Sequence, residues 1–126
     1  MAKPFEVVEK KVPDPESLHP DTAIEYISRA WLYYAKHNYG QSIDDFHKAL
    51  DSDSDNVDTL FGLALALKAD GKKEKAVDTF EKTLTLIDIL EDRIRARMLK
   101  RLTIGHINQI KTGDWNLEKE IWQTKN

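Results

Sequence analysis

The chain repeats its own pattern with a period of 34 residues. Small residues recur at that spacing as small residues, as in Ala30 and Ala64, and large ones recur as large ones, as in Phe46 and Phe80. Self-similarity at a fixed period of this length predicts a stack of similar units, because one such unit cannot bury its apolar face alone. The other matched pairs are Tyr26 and Leu60, Tyr33 and Leu67, Ser42 and Ala76, Ala49 and Thr83, and Leu50 and Leu84.

Each copy contains two stretches of helical periodicity. In the first copy Tyr26, Ala30 and Tyr33 lie four and three residues apart, which places them on one face of a helix, and a second stretch has the same spacing. The segment HNYGQ around Gly40 interrupts the first copy, and DGKK around Gly71 interrupts the second. We therefore expect two antiparallel helices per copy and an all-α fold.

The composition agrees with a helix-rich globular chain. Of its 126 residues, 40% are hydrophobic and 33% are charged, and all four prolines precede the repeats. The lack of cysteine excludes disulfides, a thiol nucleophile and a thiolate metal site. No apolar run approaches the roughly 18 residues of a membrane span, and the N-terminus lacks the apolar core of a signal peptide. The expected location is the cytoplasm, with no membrane partner.

The two copies resemble the tetratricopeptide repeat (TPR) family over residues 23–90. In that family the first helix carries a bulky, a small and an aromatic residue, and the second helix carries a small, an aromatic and a small residue. The resemblance implies a short right-handed superhelix of five or six helices in one domain. The matching positions are Tyr26, Ala30, Tyr33, Ser42, Phe46 and Ala49 in the first copy, and Leu60, Ala64, Leu67, Ala76, Phe80 and Thr83 in the second.

The resemblance also divides the chain. It places repeat 1 at about residues 23–56 and repeat 2 at about residues 57–90, within a domain of residues 21–126. Residues 1–20, which contain the prolines, are expected to form an extended or flexible arm. Residues 91–126 are interpreted as a degenerate repeat or a capping helix pair.

The degenerate third unit has an unusual end. A long helical pattern is followed by TGDWNLEKEIWQ, in which Gly113, Trp115 and Trp122 imitate the turn and second helix of a repeat. Together with Leu117 and Ile121, the tryptophans are expected to close the end of the stack, as a terminal repeat must. Facing outward, they would form a patch for self-association.

The boundary between the second and third units is open to two interpretations. The proline that usually ends a TPR unit is replaced by Ser54 and Asp88. No glycine or proline separates Lys72 from Leu102, so one continuous helix is compatible with the sequence. Against it, Asp88 with Glu91 three residues later predicts a capping box and a new helix.

The segment DSDSDN, which begins at Asp51, suggests a calcium loop. An EF-hand loop needs a bidentate glutamate at its twelfth position, which here is Gly62. Asp and Ser can instead accept hydrogen bonds from the first N–H groups of the next helix, and Asp53, Asp55 and Asp58 favour its positive end. The segment is therefore interpreted as the start of a helix between two repeats.

No other motif predicts catalysis, a metal or a cofactor. The segment GLALALKADGKKEK lacks the glycine spacing and the hydroxyl residue of a phosphate-binding loop. The four histidines are scattered, with no pair four residues apart such as a zinc helix carries. No Ser–His–Asp combination lies on a glycine-hinged turn. We predict a protein that is not an enzyme.

In TPR stacks the first helix of each unit lines a concave groove, where partner peptides bind. Trp31, Leu65 and Leu99 occupy a register that is often a polar asparagine in the family, so this groove is predicted to be apolar. The Lys and Asn set by which chaperone-binding relatives hold a terminal carboxylate is absent. By the 34-residue register, the groove residues are Ile24, Ile27, Trp31 and Tyr34, then Asp58, Phe61, Leu65 and Lys68, then Arg95 and Leu99.

An apolar groove is either covered or used for binding. A helix or strand of an unidentified partner protein could insert, with Trp31 as anchor. Alternatively the arm of this chain, PFEVVEKKV, could fold back with Phe5, Val7 and Val8. In the third interpretation Trp31 only packs between repeats.

Charge is distributed unevenly along the chain. Residues 21–56 carry a net charge of −4 and residues 91–126 carry +3. The segment RIRARMLKR is a candidate anion-binding face, or else a solvated face that balances the acidic first repeat. No aromatic residue lies between its charges, which disfavours nucleic acid as a partner. Its face residues are Arg93, Arg97, Lys100 and Arg101.

The function predicted from the sequence is a non-catalytic protein-interaction module. The alternatives are a self-associating scaffold joined through its terminal faces, which would make the protein a homo-oligomer, and an anion- or RNA-binding repeat that uses the arginine-rich helix.

Overall fold

Five α-helices and one 3₁₀ turn make up the part of the chain that the computed structural model describes, residues 12–117. The 3₁₀ turn, Pro15–Ser17, comes first. Helix α1 packs against α2 and α3 against α4 as two hairpins, while contacts between α2 and α3 and between α4 and α5 join the stack. The all-α prediction of stacked helical hairpins is confirmed. The helices are α1 (Ala23–Ala35), α2 (Tyr39–Ser52), α3 (Val57–Ala69), α4 (Lys73–Ile87) and α5 (Arg93–Thr112).

The two hairpin turns repeat each other in their backbone hydrogen bonds. In the first hairpin the N–H of Asn38 donates to the carbonyl of Tyr33 at 2.8 Å. In the second, the N–H of Lys72 donates to the carbonyl of Leu67 at 2.9 Å. The two donor residues are 34 residues apart, and so are the two acceptor residues. The sequence period is therefore also a period of the backbone.

The residue that turns the chain in each hairpin adopts the left-handed conformation. This residue is Gly71 in the second hairpin, with φ of 80°, and His37 in the first, with φ of 61°. The predicted break at HNYGQ is confirmed, since the chain is not helical at His37 and Asn38, but Gly40 itself lies inside the first turn of α2. A non-glycine residue can end a helix in this way, but at a steric cost.

The first helix of each hairpin starts at a polar cap, and the two caps are also 34 residues apart. The Thr22 hydroxyl accepts the N–H of Glu25 at 3.3 Å. The Asn56 side chain accepts the N–H and the hydroxyl of Thr59, both at 3.0 Å. The acceptor in DSDSDN is thus Asn56 rather than an Asp or Ser, because Asp53 is already the C-terminal cap of α2.

The region between Lys72 and Leu102 contains two helices. Helix α5 starts at Asp92, which has the extended backbone of an N-cap and accepts the N–H of Arg95 at 3.1 Å. The predicted capping box at Asp88 and Glu91 is wrong, because Asp88 is the C-cap of α4 and keeps right-handed helical angles. A capping residue must instead leave the helical conformation.

The core follows the repeat. Ala30, Phe46, Ala64 and Phe80 are all completely buried in one cluster that runs along both hairpins. The alanines let the helices approach, and each phenylalanine fills the space that remains. Burial of one such ring contributes about 2–3 kcal/mol relative to leaving it exposed. A second, smaller cluster of Val57, Ile87 and Ala96 joins α5 to α3 and α4.

A buried ion pair closes the outer side of the first hairpin. The Arg29 guanidinium donates to both Asp45 oxygens, at 2.7 and 2.8 Å, and Asp45 is 2% exposed. Arg29 also donates to the carbonyl of Leu18 in the N-terminal arm at 3.3 Å. In the second copy the equivalent residues are Leu63 and Thr79. The first hairpin therefore carries a polar pair, covered by the arm, where the second hairpin presents the buried Leu63 to its predecessor.

Candidate functional site

Helices α1, α3 and α5 form one side of the stack. Helix α1 contacts α3, and two polar contacts bridge α3 to α5: Asp58 pairs with Arg95, and the Lys68 ammonium bonds to His106. The two contacts are spaced similarly along both helices, so α3 and α5 run alongside each other. We use the name groove face for the partly exposed side chains on this side: Ile24, Ile27, Trp31 and Tyr34 on α1, Asp58, Phe61, Leu65 and Lys68 on α3, and Arg95 and Leu99 on α5.

Trp31 is the largest side chain on the groove face, and it is 38% exposed. Its ring meets Phe46 edge-on at 5.2 Å and Tyr34 at 5.6 Å. A Cβ atom added at Gly62 of α3 would lie 2.7 Å from the Phe46 ring and 3.0 Å from the Trp31 ring. Gly62 therefore makes room for both rings. Trp31 packs between the two hairpins and still presents part of its surface to solvent.

The other α1 residues of the groove face differ in exposure. Ile24 is exposed, whereas Ile27 and Tyr34 pack against the core cluster. Tyr34 also meets Tyr39 of α2 edge-on at 5.4 Å. Burial, and secondarily Tyr39, raises the pKa of the Tyr34 hydroxyl, which therefore stays protonated at neutral pH.

The apolar residues of α3 and α5 are half-buried. Phe61 meets Phe80 at 5.8 Å and His106 at 5.9 Å, and Leu65 packs against the core cluster. Leu99 packs against the smaller cluster around Val57. The groove face is thus a mainly apolar surface whose partly buried side chains pack on the core beneath them.

Lys68 and His106 form a polar contact at one end of this surface. The Lys68 ammonium donates to His106 Nδ1 at 2.9 Å and to Gln109 Oε1. Because an ammonium has no acceptor, His106 Nδ1 must accept, so the ring is neutral and its proton is on Nε2. The ring stacks on Phe80 at 5.2 Å and meets Trp115 at 4.8 Å.

The electrostatics of this contact follow from its burial. Burial, and then the charge of Lys68, lowers the pKa of His106 from 6.5 to about 4. Burial also lowers the pKa of the Lys68 ammonium. At the other end of α3 the situation differs, because Asp58 and Arg95 are exposed and neutralise each other.

The arginine-rich face lies on α5, with all four residues exposed. Arg93 donates to the backbone carbonyls of Asp88 and Leu90, at 3.2 and 3.0 Å, and so covers the end of α4. Within residues 12–117, Arg97, Lys100 and Arg101 pair with no carboxylate.

The outer face of α5 also carries an apolar row. Ile94, Met98 and Leu102 are 73%, 60% and 41% exposed. The row leads to a shallow cavity of about 230 Å³ lined by Met98, Leu102, Arg101, Trp115 and Leu117. The ring of Trp115, one of the two tryptophans predicted to close the end of the stack, packs against Gly105 of α5. Ile121 and Trp122 lie outside the described residues.

The arm of the chain is described from residue 12 onward. Its polar contacts go to Arg29 of α1 and to Lys36, the C-cap of that helix. Arg29 lies on the side of α1 opposite Trp31, because two residues turn a helix by about 200°. Phe5, Val7 and Val8, which were considered as occupants of the groove, lie outside the described residues.

Several residues of this site were not identified from the sequence. His106 and Gln109 fall in the degenerate third unit, where the 34-residue register no longer assigns positions. Gly62 was noted only for its place in the calcium and phosphate patterns. A glycine in the middle of an otherwise apolar helix often marks the close approach of another side chain, and this feature of the sequence could have identified Gly62.

Residues 12–117 contain neither a cluster of metal-ligating side chains nor a helix suited to cross a membrane. No three His, Asp or Glu side chains there are grouped closely enough to hold a metal ion. None of the helices in that range combines the length and the apolar character that crossing a membrane requires.

Comparison with known proteins supports a helical repeat. No family model matches the chain, and no solved structure matches it significantly. A curated protein of Methanocaldococcus jannaschii, named a TPR repeat-containing protein, is 32% identical over 73 residues. The match covers 54% of this chain and 13% of the relative, so the chain spans only a small part of that protein's length. This chain is a helical-repeat protein with a TPR-like relative.

Proposed function

We propose that this protein is a TPR-type interaction module that binds a peptide or helix of a partner protein on the groove face, without catalysis. The stacked hairpins, the 34-residue period of caps and turns, and the TPR repeat-containing relative support this class of function. The groove face supplies the binding surface.

The observation that carries the proposal is Trp31. Tryptophan is among the residues that contribute most when they anchor a protein interface. This one is partly exposed, and Phe46, Tyr34 and the space at Gly62 fix its ring in one orientation. A ring that is already immobilised loses little conformational freedom on binding, so more of the burial energy appears as affinity.

The mechanism is burial of an apolar side chain of the partner against Trp31 and Leu65. These residues belong to neighbouring first helices, and both rest on the core cluster. Each 100 Å² of apolar surface removed from water contributes about 2.5 kcal/mol before the costs of association.

The test uses peptides selected from a random display library on the immobilised full-length chain. Affinity of a selected peptide is then measured by fluorescence anisotropy for the wild type, for Trp31→Ala, and for Val12→Ala as a control. Val12 is 68% exposed and lies in the N-terminal arm, before the 3₁₀ turn.

We expect Trp31→Ala to weaken binding at least about thirtyfold, which corresponds to a loss of about 2 kcal/mol. Val12→Ala should bind as the wild type does. Circular dichroism must show that both variants stay folded. Equal affinity of a folded Trp31→Ala variant and the wild type would contradict the proposal.

A second candidate function is self-association through the outer face of α5. The row of Ile94, Met98 and Leu102 favours it, because an exposed apolar row on one helix face is a frequent contact surface. Light scattering over a range of concentrations tests it. A monomer at the highest concentration would contradict self-association, and a dimer that Met98→Glu dissociates would support it.

A further inference from the structure

We propose that Lys68 recognises a carboxylate of the bound peptide, so that the preferred partner carries an Asp or Glu close to its apolar anchor. This inference rests on the proposed function and adds the chemical class of the partner to it. It concerns a side-chain recognition site formed by Lys68 together with His106 and Gln109.

The charge of Lys68 has no counterion among the described residues. Its ammonium donates to two neutral acceptors, His106 Nδ1 at 2.9 Å and Gln109 Oε1. Within residues 12–117 it pairs with no carboxylate. An ammonium has three N–H donors, so these two bonds fix its position and leave one donor for a ligand.

The surroundings make this donor effective. The His106 ring that holds Lys68 stacks on Phe80 and meets Phe61 and Trp115 edge-on, which places the ammonium beside an aromatic cluster. The site is sufficiently shielded from water that burial lowers the pKa of Lys68. A bond between ions in such a setting is stronger than one in bulk water.

The two ends of α3 differ in charge, and this difference selects an anionic partner. At the start of α3, Asp58 is neutralised by Arg95. Lys68 is ten residues further on, or about 15 Å along the helix, and retains its charge. A peptide that lies along α3 therefore matches this surface when it carries a carboxylate opposite Lys68 and no charge at the other end.

The position of Lys68 sets the distance between anchor and carboxylate. Leu65 precedes Lys68 by three residues, which is about 4.5 Å of helix rise. In a helical peptide, the acidic residue therefore lies about one turn from the apolar residue that contacts Trp31 and Leu65. In an extended peptide it lies about two residues away, a span of about 7 Å.

The experiment repeats the display selection on three forms of the full-length chain: wild type, Lys68→Met and Lys82→Met. Methionine keeps the length of the lysine stem and removes the charge. Lys82 is an exposed lysine of α4 and serves as the matched control. Thermal unfolding must show that all three forms are folded.

For the wild type and Lys82→Met, we expect peptides enriched in Asp or Glu at a fixed short distance from an apolar residue. For Lys68→Met, the apolar residue should remain and the acidic enrichment should disappear. A selected peptide and its Glu→Gln version should differ about tenfold in affinity for the wild type, as expected for one charge-assisted bond, and less than about twofold for Lys68→Met.

The failures of the two proposals can be told apart. If peptides are selected that depend on Trp31 but carry no acidic preference, the carboxylate site is refuted and the groove function stands. If the acidic preference persists in Lys68→Met, another cation is responsible and the inference is again refuted. If no peptide binds in a Trp31-dependent way, both proposals are refuted.

Discussion

Replacing glycine by alanine should change the free energy of unfolding in opposite directions at two helical positions, Gly62 and Gly40. Gly62→Ala should destabilise the protein although alanine favours a helix. The added methyl would lie 2.7 Å from two atoms of the Phe46 ring and 3.0 Å from Trp31. Phe46 is completely buried, so its ring has little space to move. Overpacking costs about 1–3 kcal/mol, and two close contacts on a completely buried ring place this case at about 2–3 kcal/mol. The gain in helix propensity returns about 1 kcal/mol.

We therefore expect Gly62→Ala to lower the free energy of unfolding by about 1–2 kcal/mol, measured by urea denaturation and circular dichroism. Gly40→Ala is the control, because a Cβ there meets nothing within 4 Å and the residue is also helical. The Gly40→Ala variant should be more stable than the wild type by about 0.5–1 kcal/mol. In a Phe46→Leu background, which frees space, the cost of Gly62→Ala should fall. The reasoning is refuted if Gly62→Ala proves as stable as the wild type.

Three further predictions follow from the turn, the ion pair and the histidine. His37→Gly should raise the free energy of unfolding by about 1 kcal/mol, because glycine adopts positive φ without steric cost; a destabilised variant in urea denaturation would contradict it. Asp45→Asn should cost about 2–3 kcal/mol, since it leaves the partly buried charge of Arg29 unpaired; Asp45→Asn combined with Arg29→Met should recover most of this loss, and no recovery would disprove the assignment. The pKa of His106 is about 4 when folded and 6.5 when unfolded, so the unfolded state binds more protons between these values and stability must fall as pH is lowered from about 6.5 to about 4. The gap limits the effect to about 3 kcal/mol, and because the ring is only half-buried we expect about 1 kcal/mol; His106→Phe, which keeps the aromatic stack, should lose this pH dependence, measured as unfolding midpoints against pH.

The parts of the fold that repeat could be predicted from the sequence, because repetition shows which residues share an environment. The pairs Ala30 and Ala64, and Phe46 and Phe80, were assigned to equivalent buried positions, and all four are completely buried. Burial of these side chains is dictated by size and spacing, which a sequence displays directly.

Positions where the two copies differ form contacts that the repeat pattern does not predict. Arg29 and Asp45 stand where the second copy has Leu63 and Thr79. These opposite charges stand where the second copy has an apolar and a neutral residue, and they meet across α1 and α2. Two simultaneous departures of opposite charge are the signal that could have indicated this pair.

The turn positions show a different limit. The sequence places the break in HNYGQ but does not show which of its residues turns the chain. That residue is His37, 34 residues before Gly71, and not Gly40. In the third unit no second copy exists for comparison, so the contact between Lys68 and His106 depends on where α5 lies, and only the three-dimensional structure gives that.

The most direct test of the central claim is to map the binding surface by NMR. A peptide selected by display is titrated into the ¹⁵N-labelled full-length chain, and shifts of the backbone amides are recorded. Binding on the groove face predicts the largest shifts on α1 and α3, around Trp31 and Leu65, and a shifted indole N–H of Trp31. Shifts confined to α2 and α4, or to the outer face of α5, with the Trp31 signals unchanged, would contradict the account.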